Sequence, residues 1–596
     1  MTELVFKGKE FVWNHHLAVP FRPLVMQPDK GICDPRLDGN LIVQGDNLHA
    51  LKALLPLYAG RVDCIFIDPP YNTGNEGWAY NDNVNAPMIR EWLDANPIGI
   101  EDGLRHDKWC AMMWPRLRLL HELLAENGSL WITLDDNEAH RAIEMLLEIF
   151  GTGCHEATII WEKRYTRSNN ATRFSSSKDY LIVFRKSESF KPGKEPRSED
   201  SQETYDNPDN DPKGPWISVS YVNPASKKDR PNLVYPITNP HTGKDVEHES
   251  NAWKFERKTH KKHLKENRLW WGKTGELSYP RLKVYMSDGM VPIDLWQHRF
   301  AGTTDQAFKQ LEQIMGRGAF ETIKPKKLIQ RVLELATKQD SIILDSFAGS
   351  GTTAHAVLEA NKRDGGNRRF ILVEMEDYAD RLTAERVRRV INGYAFTGTQ
   401  RTELLREKLS YTKLKKADRL TEQVEKIENL HGHEYDRIKK EVKDGELIVT
   451  GEKAVKDRAE GLGGEFTYCT LGEPVELDHI LTGEDLPTFD ALAGVLFHMA
   501  TSQPLAPAQM DPSRAYVGEA GGTHVWLIYR PDLDWLKSPE AALTLSFARQ
   551  LTEARPDASH LVFAPARYVS QRLLDAEGLA VEFAPLPFAL YRVERT

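Results

Sequence analysis

The 596-residue chain is 40% apolar and 28% charged, an ordinary globular composition; at roughly 100–200 residues per domain it implies about three to five domains and needs no disulfide staples. A net charge of −9 leaves no overall basicity to advertise a polyanion partner, although residues 151–300 hold 26 Lys+Arg against 20 Asp+Glu. That local surplus suits a phosphate-tracking face or, equally, a solvated surface.

Five cysteines without a CxxC pair exclude a zinc ribbon, an iron–sulfur cluster of usual spacing and a disulfide scaffold, and no metal is expected. The start reads as no signal peptide, and no run of about 18 apolar residues could span a bilayer. A cytoplasmic protein without membrane contact is expected.

In chain order, residues 41–46 read as a short strand ending in a turn, followed by a helix with Leu48, Leu51, Leu54 and Leu55 on one side. Residues 61–68 form an apolar run of buried parallel-strand character. An amphipathic helix is predicted over 109–126 with Asn127-Gly128 as its stop, then a strand over 129–134 and a helix over 138–150 closed by Gly151. Between about 160 and 320 this rhythm breaks, and aromatics and cations interleave from 253 to 285. It returns with a helix over 326–337, a strand over 341–345, a helix over 352–360 and a strand over 370–374. Residues 403–442, with Leu405, Leu409, Leu420, Val424 and Ile427 at helical spacing, predict a long helix or helical hairpin. From about 464 a small α/β unit is predicted, with strands at 525–529, 561–564 and 581–583 and a helix over 539–553. Strands alternating with helices predict an α/β fold, a doubly wound and mostly parallel sheet.

Two motifs carry chemistry. Asp345-Ser-Phe-Ala-Gly-Ser-Gly-Thr-Thr353 follows a strand and opens a helix. Gly349 and Gly351 allow a tight turn and close approach to a ligand, and the helix start favours an anionic group. Glu374, twenty-three residues past Gly351, is placed to bind ribose hydroxyls. There is no third glycine of a dinucleotide fingerprint and no Gly-Lys-Ser/Thr, which leaves an adenosine-bearing ligand whose far end is not a polyphosphate. Asp68-Pro-Pro-Tyr71 also stands at the end of a buried strand. The carboxylate, rigid carbonyls and ring suit a flat substrate with an exocyclic amino group: Asp68 and the Pro69 carbonyl accept its hydrogens while Tyr71 stacks. Pro70 extends the rigid turn.

Together these motifs resemble the amino-group DNA methyltransferases that use S-adenosylmethionine. The catalytic motif precedes the cofactor motif by 277 residues, the order of the β group. Further likenesses are Leu41-Ile-Val-Gln-Gly-Asp-Asn47, Asn72-Thr-Gly74, Tyr80-Asn-Asp82, Trp114-Pro-Arg-Leu117, Leu134-Asp-Asp-Asn-Glu138 and Ile323-Lys-Pro-Lys-Lys327, spanning about residues 40–395. Residues 206–216 and the C-terminal extension are similar to modification subunits of type III restriction systems. Ser346 departs from the family's usual proline.

The resemblance implies methyl transfer to N6 of a flipped-out adenine in double-stranded DNA, with S-adenosylmethionine as cofactor. It places Phe347, Gly349, Gly351 and Thr352 at the cofactor's methionine end and Glu374 on its ribose. Asp46 falls near the adenine, Lys324 and Pro325 near the carboxylate, and Asp345 at the amino-acid portion, where a strand-end Asp also serves simply to cap the loop. It further implies a homodimer and a restriction (helicase/nuclease) subunit as partners. N4-cytosine methylation and a DNA-binding specificity subunit with a relict site stand as alternatives. The expected organisation is an N-terminal arm (1–40), catalytic half (41–160), target-recognition region (161–320), cofactor half (321–400), charged helical region (401–460) and C-terminal α/β domain (461–596).

Overall fold

A computed structural model describes residues 3–73, 104–167, 174–195, 204–474 and 486–586, apart from single positions 288, 321, 416, 444, 502 and 537. Tyr80-Asn-Asp82 and Gly74 lie outside the described residues. The chain divides into two compact units, Pro192–Pro292 and the remainder.

The larger unit is built on one ten-stranded sheet. Its strands in chain order are β1 (Leu24–Met26), β2 (Leu41–Gln44), β3 (Val62–Ile67), β4 (Leu124–Leu134), β5 (His155–Glu162), β6 (Lys178–Arg185), β7 (Leu295–Trp296), β8 (Ile342–Asp345), β9 (Arg369–Glu374) and β10 (Thr467–Leu471). They lie side by side in the order β1-β10-β2-β9-β8-β3-β4-β6-β5-β7. The run from β10 to β4 is parallel throughout. Antiparallel β6 then reverses it.

The continuous apolar character of the central strands follows from burial on both faces. Ile65 and Ile67 of β3 pack into one core while Cys64 and Phe66 pack into the other; Phe370 and Leu372 of β9 oppose Ile371 and Val373 in the same way. The first layer holds α1 (Asn47–Tyr58), α2 (Arg105–Leu123) and α3 (Ala139–Phe150). The second holds α4 (Lys326–Ala336), α5 (Thr352–Asp364) and α6 (Glu385–Asn392). This is the doubly wound α/β fold that the alternation of elements predicts. Neighbours β8 and β3 are the point that positions the site. The chain leaves β8 through α5 toward one edge and β3 through α2 toward the other, so a crevice opens beyond their carboxyl ends.

Three sequence expectations are corrected. The helix predicted to 126 ends at Leu123, and residues 125–128, including Asn127-Gly128, form a bulge in β4. Residues 394–459 are chiefly a three-stranded antiparallel sheet, Tyr394–Lys408, Arg437–Lys443 and Glu446–Ala459, with one helix at Ala417–His431. The charged helical region is therefore mostly strand, because an exposed sheet with polar residues on both faces carries no clean period-2 signal. Thr467–Leu471 joins the main sheet as β10 instead of opening a separate unit. Beyond it, strands Tyr516–Ala520, Thr523–Leu527, Ser559–Ala564 and Val581–Pro585 make a four-stranded sheet with helix Leu545–Ala554.

The 192–292 unit is irregular, as its composition suggests. Tyr221, Tyr235, Trp253, Trp271 and Leu282 form its core. Within 206–216, Asp209 and Asp211 pair with buried Lys283, and Trp216 donates to Asp209. Residues 161–162, 178–185 and 295–296, inside the expected recognition span, belong to strands of the main sheet. Among the described residues no helix is long and apolar enough to cross a membrane, and no group of three or more His, Cys, Asp or Glu could hold a metal ion.

Candidate active site

Four adjacent strands, β2, β9, β8 and β3, each end in an acidic residue or pass into one: Asp46, Glu374, Asp345 and Asp68. Parallel pairing of Ile343 with Cys64 and Leu344 with Ile65 sets Asp345 level with the end of β3, one turn of chain from Asp68. The two motifs separated by 277 residues thus meet across the crevice. Their charges are close enough that Asp68 and Glu374 both raise the pKa of Asp345.

Asp68 sits at the centre of the catalytic half. Thr133 of β4 donates to its Oδ1 at 2.6 Å, and the Lys324 ammonium lies 2.6 Å from both oxygens. The same Nζ stands 4.8 Å from the centre of the Tyr71 ring. Lys324, expected near the cofactor's carboxylate, is therefore seated on Asp68. Pro325 behind it is the N-cap of α4.

The Asp68-Pro-Pro-Tyr71 turn is tied down by Trp109, which no sequence motif marks, and by Asn72 and Glu138, both within the segments of family likeness. Buried Trp109 of α2 donates to the Pro70 carbonyl at 2.7 Å. Asn72 adopts the left-handed conformation, φ 58°, which asparagine tolerates better than other side-chain-bearing residues. Its amide donates to the Arg105 carbonyl at 3.1 Å and to Glu138. Glu138 is fully buried and also meets His106 and Arg141; burial raises its pKa. The Tyr71 hydroxyl donates to Asp179 at 3.4 Å, and Lys163 pairs with that carboxylate at 2.6 Å. Burial, with the Asp68 and Asp179 charges adding to it, pushes the Tyr71 phenol well above its usual pKa. Tyr71 is thus a neutral ring with its edge fixed.

The cofactor half is equally organised. Gly349 (φ 51°) and Gly351 (φ 75°) take left-handed conformations, and Gly351 is the N-cap of α5. Glu374 accepts from the Gly349 N–H at 2.7 Å and the Glu376 N–H at 3.1 Å. Asp345 accepts from the Phe347 N–H at 3.1 Å and the Thr353 hydroxyl at 2.5 Å, so both oxygens cap the loop. Burial nevertheless raises each of these two carboxyls to about 7. Asp46 caps α1 through the Leu48 and His49 N–H groups at 3.0 and 3.1 Å and meets Arg116 at 3.4 Å. Phe347 and Tyr71 pack against the same core. The Thr352 hydroxyl accepts from buried Arg386 at 2.8 Å, and the Thr383 hydroxyl donates to the Gly349 carbonyl at 2.6 Å. Both partners belong to the segment after β9.

Five carboxylates, those of Asp46, Asp68, Asp179, Asp345 and Glu374, therefore gather at these strand ends, with cations beside Asp68 and Asp179, behind Asp46 and, through Arg386, under the glycine turn. Such a field repels a polyphosphate and favours a ligand bearing positive charge beside a nucleoside. A sulfonium with an α-ammonium meets that requirement, and the glycine turn and Glu374 provide for its amino-acid and ribose ends. These residues fit S-adenosylmethionine.

The DNA methylase family model (N6_N4_Mtase) matches residues 62–385. The chain is 32% identical over 348 residues to the type III restriction-modification enzyme StyLTI Mod subunit of Salmonella typhimurium, covering 56% of this chain and 52% of that protein. It is 28% identical over 382 residues to the EcoPI Mod subunit of Escherichia phage P1, covering 57% and 58%. To the type II methyltransferase M.KpnI of Klebsiella pneumoniae it is 30% identical over 354 residues, covering 55% and 79%. The chain spans about half the length of the two Mod subunits. Among solved structures, the cytosine-N4-specific PvuII DNA methyltransferase aligns over 58% of this chain and 86% of its own, at 12% identity and a TM-score of 0.32, too low to argue from.

Proposed function

This chain belongs to the DNA methylase family, and we propose that it is an S-adenosylmethionine-dependent, site-specific methyltransferase acting on N6 of adenine in double-stranded DNA. The observation that carries this reading is the Lys324 ammonium: a nitrogen donor 2.6 Å from both Asp68 oxygens and 4.8 Å from the Tyr71 ring centre. It occupies the seat an exocyclic amino group needs, with hydrogens on the carboxylate and an aromatic face alongside.

Adenine N6 is a weak nucleophile because its lone pair is delocalised into the ring. Asp68 and the Pro69 carbonyl accept its two hydrogens, drawing the nitrogen toward tetrahedral geometry and returning the lone pair. Asp68 gives up a bond to Lys324 as it takes one from the base, while Thr133 keeps the carboxylate in place. Trp109 and Asn72 hold the turn at fixed height, which is positioning prepaid in folding. Tyr71 stacks on the base, returning about 1–3 kcal/mol against a flipping cost of about a few kcal/mol. S-adenosylmethionine, when bound, supplies the electrophilic methyl group. Asp46, Asp345, Phe347, Gly349, Gly351, Thr352 and Glu374 hold it, with Glu374 on the ribose. Asp68 Oδ2 then receives the proton the methylated nitrogen sheds, so attack is direct and needs no cysteine. The acidic residues at the strand ends would hold the positively charged cofactor more tightly than its neutral demethylated product.

The Mod subunits among its relatives support placing it within a type III restriction-modification system with a restriction subunit as partner; a cytoplasmic homodimer is our reading of the sequence and its resemblance alone. Within residues 161–320, the separate 192–292 unit supplies target recognition. Methylome sequencing of DNA from cells expressing the protein tests this reading. It predicts N6-methyladenine at one recurring sequence; N4-methylcytosine would move the substrate to the other base, and unmodified DNA would overturn the proposal.

A further inference from the structure

Behind the glycine turn stands a charge that the chain itself does not balance. Arg386, in α6, is fully buried, yet no carboxylate pairs with it among the described residues. Its Nη1 donates to the Ser350 carbonyl at 3.2 Å, the Ser350 hydroxyl at 2.8 Å and the Thr352 hydroxyl at 2.8 Å. Its Nε is buried without a partner. A guanidinium sealed in apolar surroundings is strongly penalised unless an opposite charge answers it. Three neutral oxygens offset only part of that penalty.

The position of this cation is specific. Residues 383–387 form the floor under Gly351: a Cβ built there would lie 3.1 Å from the Thr383 carbonyl oxygen and 3.6 Å from a Val387 methyl. Directly above, α5 begins with no acidic residue of its own in its first turn, and its start presents a positive dipole end. Ser350 and Thr352 both accept from Arg386, which leaves their hydroxyl protons to donate. They lie 3.3 Å apart, so one proton is shared between them and the other is left for a further acceptor. The guanidinium thus meets, through the Ser350 and Thr352 hydroxyls, the last turn of the loop and the first residue of α5.

We propose that Arg386 is a positioning residue whose charge, relayed through the Ser350 and Thr352 hydroxyls, selects the carboxylate at the amino-acid end of the cofactor. The inference rests on the cofactor reading above and adds a division of labour to it. The acidic crevice holds the cationic centres, and Arg386 answers the single negative one from beneath the loop. Lys324, engaged on Asp68, is not required for that task.

The test compares two ligands by calorimetry on the full chain: S-adenosylhomocysteine and its decarboxylated analogue, S-adenosyl-3-thiopropylamine. Arg386→Met is expected to weaken S-adenosylhomocysteine by about tenfold or more while changing the analogue by less than about twofold. Arg386→Lys, which keeps the charge, is expected to restore most of the difference. Equal weakening of both ligands would overturn the proposal, because a residue that only shapes the loop makes no distinction between them. If Arg386→Met does not fold, Ser350→Ala decides in the same assay: a carboxylate-selective loss supports the relay and an equal loss refutes it. Wild-type protein that binds neither ligand would remove the cofactor reading and this inference with it, an outcome distinct from non-selective loss.

Discussion

The acidic lining of the cofactor half makes ligand affinity depend on pH in a direction the structure fixes. Burial penalises the charged forms of Asp345 and Glu374 and pushes each carboxyl up to about 7. A ligand presenting hydroxyl or ammonium hydrogens binds the ionised carboxylates, so each group multiplies the apparent Kd by one plus the ratio of its protonated to ionised form. Between about pH 8 and pH 6, one such group weakens binding about tenfold and two together about a hundredfold. Isothermal titration of S-adenosylhomocysteine across this range reads the slope directly. Glu374→Gln removes one factor and Asp345→Asn the other, so each variant should show about half the wild-type slope. Folding stability moves the opposite way. Both folded pKa values lie above the ordinary carboxylate range near 4, so the native state binds more protons than the unfolded chain between about 4 and 7. The stability these groups contribute is full below that window and is lost as pH rises through about 7. Wild-type affinity that stays flat from pH 6 to 8 would refute the reasoning.

Three other perturbations separate the halves of the site. Asp68→Ala should lower methylation by at least about 10²–10³-fold, the scale for removing one preorganised charge-stabilising group, while S-adenosylhomocysteine affinity changes less than about twofold; single-turnover rates beside calorimetry check both. Gly351→Ala places a Cβ 3.1 Å from the Thr383 carbonyl oxygen at φ 75°, which should cost about 1–2 kcal/mol in a denaturant melt and weaken cofactor binding. Trp109→Phe leaves the Pro70 carbonyl without its 2.7 Å partner. That should cost about 1–3 kcal/mol and slow methylation with the KM for S-adenosylmethionine unchanged, as steady-state kinetics would show.

The ends of the central strands were legible because several local rules agreed there. Apolar runs buried on both faces predicted β3, β8 and β9, and the residues just after them named Asp68, the glycine turn and Glu374. What supports those residues was not legible, because each support comes from far along the chain. Lys324 reaches Asp68 across 256 residues, and nothing local distinguishes a lysine aimed at a carboxylate from one aimed at solvent. Arg386 lies in Glu385-Arg-Val-Arg-Arg389, a stretch that reads as a solvated helix face, and only the packing against Gly351 shows one of its three arginines buried. Trp109 was within reach: an indole buried in an amphipathic helix needs an acceptor, and the rigid turn after β3 supplies one, whereas Glu138 follows the polar run Asp135-Asp-Asn137 at the start of α3 and reads there as an ordinary surface acid. Residues 394–408 misled for another reason. Leu405 and Leu409 sit at helical spacing, but a bulge between Glu403 and Leu405 shifts the register, so the strand's alternation is broken.

The convergence of Asp68 with the Asp345–Thr353 loop is tested most directly by the product. Purified protein is incubated with duplex DNA and S-adenosylmethionine carrying a labelled methyl group, and the DNA is digested to nucleosides for mass spectrometry. The label should appear in N6-methyldeoxyadenosine with wild-type protein and vanish with Asp68→Ala. Label on a ring carbon, or equal label with Asp68→Ala, would contradict the assignment of Asp68 as the acceptor for the target amine.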